Sequence, residues 1–476
     1  MRTDLFIGNQ WRPAANGARL AVVNPATEET VAEVAEAQAS DVDDAVAAAR
    51  ACFEGDAWRA LSHRKRGALL FRAADLLEQR LADVARLETL HNGKPLFESR
   101  IDVAMTVETL RYYAGWADKI TGHTIPVDGP FFTYTLREPV GVVAAIVPWN
   151  FPLNLASWKF APALAAGCTV ILKPASETPL TALAMAEIMQ EAGLPPGAFN
   201  VLPGGGSTVG GALVKHAGVD KIAFTGSTEV GRQIMREAAS TLKRVTLELG
   251  GKSPNIVFAD ADLKSAVRGA FNAIFYGKGE VCAAGSRLLV ERAVHDQVME
   301  ELVARAKKLT PGDPMDKNTR LGAVVSRRQQ DTVLSYIEAG KHEAALVAGG
   351  NRATVNGKGY FVEATVFDQA KPGMKIVDEE IFGPVLAVLT FDGVEDGIQL
   401  ANQSVYGLAA GIWTRDIQKA HRVARAVRAG TVWINTYNSY DSAAPFGGYK
   451  ASGFGRDLGR EALEAYMEVK SVWVGL

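Results

Sequence analysis

From about residue 140 to residue 250 the chain alternates continuous apolar runs with helical patterns, and this alternation limits the fold more than any other feature. "GVVAAIV" (141–147) is apolar throughout, as a parallel strand covered on both faces must be. "LNLASWKFAPALAAG" reads as a helix that Pro162 should bend or restart. "CTVILK" is the next strand, and "TPLTALAMAEIMQEAG" is a helix with proline near its start and glycine after its end. "AFNVLPG", "STVGGALVKHAG", "VDKIAFTG" and "STEVGRQIMREAA" continue the series; in the last, Val230, Ile234 and Ala238 share one helical face. "RVTLELGG" sets Val245, Leu247 and Leu249 against Thr246 and Glu248, the period of a strand. Strands separated by helices of this length pair in parallel, so the expected fold is a doubly wound α/β sheet.

The flanking segments differ. "LFIGNQWRP" and "LAVVNPATEETVAEV" read as short strands, and Ala39 to about Trp116 is almost all helical pattern. "TIPVDGPFFTYTLREPVG" (124–141) reads as an extended hairpin inserted before the sheet, and a second alternating region runs from Gly251 to about residue 450. The tail, "SVWVGL", has strand character and no partner nearby in sequence, so the hairpin and tail are expected to pair across a subunit boundary.

At 476 residues the chain is long enough for roughly two to three domains. A net charge of −2 gives no reason to expect nucleic acid or an anionic membrane as partner. The most apolar region, Val140 to Leu172, is interrupted by Pro148, Asn150, Pro152, Lys159 and Pro162, which excludes a spanning helix. The N-terminus has neither the apolar core of a signal peptide nor a transit pattern. Cys52, Cys168 and Cys282 form no disulfide framework and no metal-binding spacing, so a cytoplasmic protein without a metal is expected.

In open parallel sheets ligands bind beyond the carboxyl ends of the strands. "PWNFP" follows the first strand of the alternating region, "KPAS" the second, "PGGG" the third and "TGSTEVG" the fourth, while Glu248 ends the fifth. Each alone reads as a turn or a solvated charge; five on one edge describe a crevice with an amide, a cation, backbone N–H groups and a carboxylate. Ser227 begins a helix, where free N–H groups attract phosphate. The G-x-G-x-x-G fingerprint and the P-loop motif are both absent, which argues against the usual dinucleotide pose and against a P-loop nucleotidase. "GKGEVCAAGSR" gives Cys282 small neighbours on its C-terminal side and no histidine nearby in sequence, so a nucleophilic role for this thiol needs another base and an oxyanion donor.

"PWNFP", "LKPASETPL", "FTGSTEVG", "TLELGGKSPNIVFADADL", "GEVCAAGSR", "EEIFGPV" and "PFGGYKASGFGRDLG" occur in this order along the chain. With this order and spacing the sequence resembles the NAD(P)-dependent aldehyde dehydrogenase superfamily over essentially its whole length. The resemblance implies a discontinuous cofactor-binding domain (1–123 and 140–250), an α/β catalytic domain (251–450), and an oligomerisation hairpin and tail (124–139 and 461–476) in a homodimer or homotetramer. It implies Cys282 as nucleophile, Asn150 with the Cys282 backbone N–H as oxyanion hole, and Glu248 as the base for thioester hydrolysis. Lys173 matches the lysine that bonds the adenosine ribose, Glu380 the carboxylate on the nicotinamide ribose, and Phe382 a neighbour of the nicotinamide. Trp149, Gly206, Gly210 and Ser227 match contacts along the adenosine and pyrophosphate. Ile146, Val147, Pro148, Phe224, Thr225, Gly226, Val230 and Leu249 complete the cofactor contacts that the resemblance implies.

Ser176 departs from the family pattern, since NAD-preferring members often carry glutamate three residues after the lysine. Serine removes a repulsion against a 2′-phosphate, so NADP is expected to be accepted as well as NAD, although Glu177 could still reach the ribose. Met105, Phe151, Trp158, Tyr440 and Phe446 match the substrate-tunnel wall, which suits a medium aliphatic or aromatic aldehyde, while Asn154 and Asn438 add polar spots that leave a hydroxy- or amino-aldehyde open. Trp158 stands where members acting on succinate semialdehyde carry an arginine. Branches that pass the acyl group to coenzyme A lack the base that Glu248 matches. A thiol esterase or amidase built on Cys282, and a non-catalytic relative, remain as alternatives.

Overall fold

The computed structural model describes residues 2–476. Its first sheet has eight strands, in the order Gln10–Arg12, Leu5–Ile7, Phe199–Val201, Thr169–Lys173, Val142–Ile146, Lys221–Thr225, Arg244–Glu248 and Gly453–Phe454. The five from Phe199–Val201 to Arg244–Glu248 are mutually parallel, with Ile146 opposite Lys173 and Thr225 opposite Glu248. All five therefore end on one edge. Every residue of Val142–Ile146, Thr169–Lys173 and Lys221–Thr225 is buried, which is why the first reads as an unbroken apolar stretch and the other two have apolar centres. Winding reverses between Val142–Ile146 and Lys221–Thr225, and a crevice opens at such a reversal.

The helix Pro152–Ala166 runs without interruption through Pro162 and ends at the left-handed Gly167. The expected restart does not occur. All fifteen residues are buried, so packing on every side holds the helix although the proline ring forfeits one backbone bond. A second departure concerns Thr228–Ala238: Ile234 and Ala238 are buried, but Val230 is 43% exposed. Val230 lies in the first helical turn, at the sheet edge, and Gly231 takes the inward position, where an added Cβ would come within 2.6 Å of Leu249.

The second sheet has seven strands in the order Ala345–Ala348, Thr365–Asp368, Val385–Phe391, Arg287–Glu291, Pro254–Val257, Ala409–Trp413 and Thr431–Ile434, all parallel except the first. Leu289 and Ile256 face one apolar cluster, Leu288, Val290 and Val257 the other, so helices cover both faces. No helix among the described residues is long and apolar enough to cross a membrane.

The tail corrects the expectation drawn from its sequence. Met467–Gly475 pairs antiparallel with Phe131–Pro139 of its own chain over nine residues, and Thr124–Ile125 adds a third strand. The partner was invisible in sequence because about 330 residues separate the two strands. Residues 461–464 are not part of this strand; they finish the helix Gly459–Glu464, whose Ala462 and Leu463 join the core of the first sheet. Gly453–Phe454 adds an edge to that sheet beside Leu247–Glu248.

Candidate active site

Cys282 follows the helix Leu263–Phe275 through a turn in which Gly277, Lys278 and Gly279 are all left-handed, with φ of 59°, 62° and 70°. Gly279 has no room for a side chain, since a Cβ would stand 2.1 Å from the carbonyl oxygen of Gly383 in "EEIFGPV". The thiol is half-buried, and the backbone N–H groups of Cys282 and Ala283 point at the sulfur. Burial, then the charges of Glu380 and Glu248, push the thiol up to about 12. Both carboxylates are thus within electrostatic reach of the sulfur, which rests as a neutral thiol.

Asn150 follows the first parallel strand and is 4% exposed. Its side-chain nitrogen donates to the carbonyl of Glu280 at 2.9 Å, two residues before Cys282, and no acceptor among the described residues takes its second N–H. Glu248 ends the strand Arg244–Glu248 and is 5% exposed; neither of its carboxylate oxygens has a hydrogen-bond partner among the described residues. Burial first, and then Asp457, raise it well above the usual carboxylate range, against the pull of Lys159 and Arg456. Gly447 leaves space for it, because a Cβ there would lie 2.6 Å from Glu248 Oε1.

Cys282 lines a cavity of about 570 Å³ whose wall includes Met105, Phe151, Trp158, Tyr440 and Phe446, the five residues expected there, and both Asn154 and Asn438. Trp158, Tyr440 and Phe446 form a triangle with ring centroids 5.5–6.2 Å apart. Asn154 Oδ1 accepts from the Trp158 indole at 3.1 Å, while the Asn438 amide nitrogen is buried without a partner among the described residues. Sequence reasoning missed Phe97, Ile101, Phe271 and Phe275 on the same wall. The signal was present: Phe97, Ile101 and Met105 fall four apart on the helix Leu96–Trp116, and Phe271 and Phe275 four apart on the helix before Cys282.

The residues expected along the crevice are not on this wall. Val147 donates its N–H to the Lys173 carbonyl, and the Trp149 ring meets Phe382 edge-on at 5.2 Å, Phe382 being left-handed at φ 57°. Lys173 is 4% exposed, and burial pushes its ammonium down to about 8 against the opposing charge of Glu177. The Ser176 hydroxyl donates to the Gly204 carbonyl at 3.1 Å, and Glu177 is exposed. Gly206 to Gly210 form a wide helical turn, and a Cβ at Gly206 or Gly210 would meet nothing within 4 Å, so neither glycine is there for packing. Gly226 is required for packing, with the Phe224 ring 2.4 Å from where its Cβ would be. Ser227 caps the helix Thr228–Ala238 by accepting from the Val230 N–H, and the buried hydroxyl of Thr225 has no partner among the described residues.

Pro148 is half-buried at the crevice mouth, whereas the side chains of Ile146, Phe224 and Leu249 pack into one apolar cluster and that of Val147 into another. Those four can meet a ligand only through their backbone. Glu380 accepts from the Gly251 N–H at 2.9 Å, and burial pushes its carboxyl up to about 7 against that bond and Lys252. Two open glycines, a buried cation and an unpartnered hydroxyl along one edge fit a dinucleotide's ribose and phosphates.

Strand-end residues that fit a dinucleotide, together with an aromatic tunnel lined by a thiol, suit a nucleotide-dependent oxidoreductase. The chain belongs to the aldehyde dehydrogenase family, whose family model matches residues 11–472. It is 50% identical over 475 residues to the mitochondrial aldehyde dehydrogenase of Homo sapiens, covering 99% of this chain and 92% of that protein. The NAD+ complex structure of an aldehyde dehydrogenase from Bacillus cereus matches with a TM-score of 0.98 at 51% identity, over 100% of this chain and 97% of that one. The AldA indole-3-acetaldehyde dehydrogenase of P. syringae, solved as a mutant with NAD+ and IAA, also matches with a TM-score of 0.98, at 47% identity over 100% and 97% of the two chains.

Proposed function

We propose that this enzyme oxidises medium aliphatic or aromatic aldehydes to free carboxylic acids, with Cys282, Asn150 and Glu248 as the reacting groups. The observation that carries this reading is the Glu248 carboxylate, buried with both oxygens unbonded and within electrostatic reach of the Cys282 thiol.

Cys282 gives its proton to solvent water and adds as thiolate to the aldehyde carbonyl, whose oxygen becomes an oxyanion as the C–S bond forms. The free N–H of Asn150 and the backbone N–H of Cys282 stabilise that charge, and removing one such donor typically costs several kcal/mol. When bound, an oxidised nicotinamide supplies the hydride acceptor and a positive charge that offsets the two carboxylates raising the thiol. Loss of hydride leaves a thioester on Cys282. Glu248, deprotonated, takes a proton from water as the water attacks the thioester; the C–S bond breaks, and the acid and the thiol are released. The tunnel of Trp158, Tyr440 and Phe446 holds the apolar tail of the substrate. The IAA complex of the P. syringae relative supports an aromatic substrate within this range.

NAD+ is the oxidant favoured by the B. cereus and P. syringae complexes. NADP+ is accepted as well, because Ser176, three residues after Lys173, carries no carboxylate to repel a 2′-phosphate. A steady-state panel of aliphatic and aromatic aldehydes with each cofactor tests substrate class and oxidant together. The ratio of kcat/KM for NADP+ to that for NAD+ should fall roughly ten- to hundredfold in Ser176→Glu, the effect of one like-charge contact on a phosphate. An unchanged ratio, or a wild type that rejects NADP+, defeats that assignment.

Residues 2–123 and 140–250 then form the cofactor-binding domain and 251–450 the catalytic domain, with the three-stranded sheet as the oligomerisation element of a homodimer or homotetramer. Phe131, Phe132, Val469, Trp473 and Val474 are 42–58% exposed on that sheet, an apolar area that a lone chain leaves open. Trp473→Lys should sediment as a monomer where the wild type sediments as an oligomer; a monomeric wild type overturns this. The three unpaired thiols suit a reducing cytoplasm.

A further inference from the structure

Asn92 and Lys278 belong to neither the tunnel wall nor the crevice, yet their hydrogen bonds end on the two loops that carry Asn150 and Cys282. We propose that Asn92, held by Lys278, is a positioning residue that fixes the Asn150 amide against the Cys282 loop. The inference rests on the roles assigned above to those two groups.

The connections form a closed ring. Lys278, 1% exposed, donates to the backbone carbonyl of Asn92 at 2.9 Å and to its side-chain oxygen at 2.8 Å. The side-chain nitrogen of Asn92 donates to the carbonyls of Trp149 at 2.7 Å and Asn150 at 3.3 Å. The side-chain nitrogen of Asn150 donates to the carbonyl of Glu280 at 2.9 Å, and the Glu280 carboxylate pairs with the Lys278 ammonium at 2.8 Å. The ring joins three segments that are far apart in sequence.

Each joint has little freedom. Asn92 is the last residue of the helix Leu81–Asn92, which the left-handed Gly93 ends, so its carbonyl is one of the helix's free acceptors and favours a cation. Lys278 is itself left-handed, between two left-handed glycines, a backbone state that lysine adopts only under constraint. Glu98 accepts the Gly277 N–H at 3.2 Å, and the Val325 N–H at 3.0 Å holds Glu280. In so dry a setting hydrogen bonds orient their partners strongly, and a buried ion pair fixes geometry more than it adds stability. Asn92 holds the Asn150 backbone through its carbonyl, and the Glu280 carbonyl holds the Asn150 side chain, so the orientation of the amide depends on both bonds.

The test uses Asn92→Asp, nearly isosteric, which keeps an oxygen toward Lys278 and loses both donors toward Trp149 and Asn150, with Asn92→Ala as second variant. With NAD+ and hexanal, kcat should fall roughly ten- to hundredfold in both, while KM for NAD+ stays within about twofold. In an Asn150→Ala background the same substitution should cost no more than about a further twofold, because the group it positions is gone. Wild-type kcat in Asn92→Asp, or losses that multiply in the double variant, would overturn the proposal. So would failure of both Asn92 variants to fold, since the ring would then be a folding element only. An Asn150→Ala enzyme with undiminished turnover would instead overturn the role of Asn150 itself.

Discussion

Cys282→Ala is expected to abolish aldehyde-dependent NADH formation, a loss of about ten-thousandfold or more in kcat. Neither remaining cysteine can replace it: Cys52 and Cys168 are buried in the first sheet's core, and burial pushes both thiols up to about 11. The sulfur forms no disulfide and is approached only by the N–H groups of its own residue and Ala283, so the melting temperature and the affinity for NAD+ should stay near wild type. That combination separates a lost nucleophile from a lost fold. A variant that still turns over at the wild-type rate would show that the thiol takes no part.

Glu248→Gln should divide the reaction at the thioester. The first turnover should still release about one equivalent of NADH per site, after which the steady-state rate falls roughly a hundred- to ten-thousandfold, the usual contribution of a general base. The pH dependence follows from the raised carboxyl. Glu248 can accept a proton only when ionised, and burial keeps it protonated above the usual carboxylate range. Below its folded pKa the base is absent and hydrolysis is slow; as pH rises through that pKa the rate climbs. The wild-type kcat profile should therefore carry an ascending limb displaced upward from an ordinary glutamate's 4.5, and Glu248→Gln should lack it. The same limb in the glutamine variant, or no burst, would remove Glu248 from the hydrolytic step.

Part of the site was legible because its residues sit at strand ends, where sequence order and spatial order coincide. Asn150, Lys173, Ser227 and Glu248 follow four strands of one parallel sheet, and parallel strands carry their ends to a common edge. Glu380 and Phe382 were named only through the resemblance, since nothing local in "EEIFGPV" marks a ligand. Phe97 and Phe271 could have been read from helical spacing, but spacing does not say which apolar stripe faces a void. Asn92 and Lys278 gave no signal at all. An asparagine before a glycine reads as a helix end, and a lysine beside a glutamate reads as solvated charge; both are buried here because three segments close over them.

The succession of strands and helices, their parallel pairing and the edge on which ligands gather follow from the chain alone, because apolar period and connection length leave a doubly wound sheet few alternatives. What the tertiary structure alone decided is which distant groups share one dry volume. The tail found its hairpin, the helix held through Pro162, and Glu248 lost every hydrogen-bond partner near Cys282, all by contacts between residues that no local pattern connects. Burial is a property of the assembled chain, and burial is what raises the thiol and its carboxylate neighbours out of their ordinary ranges.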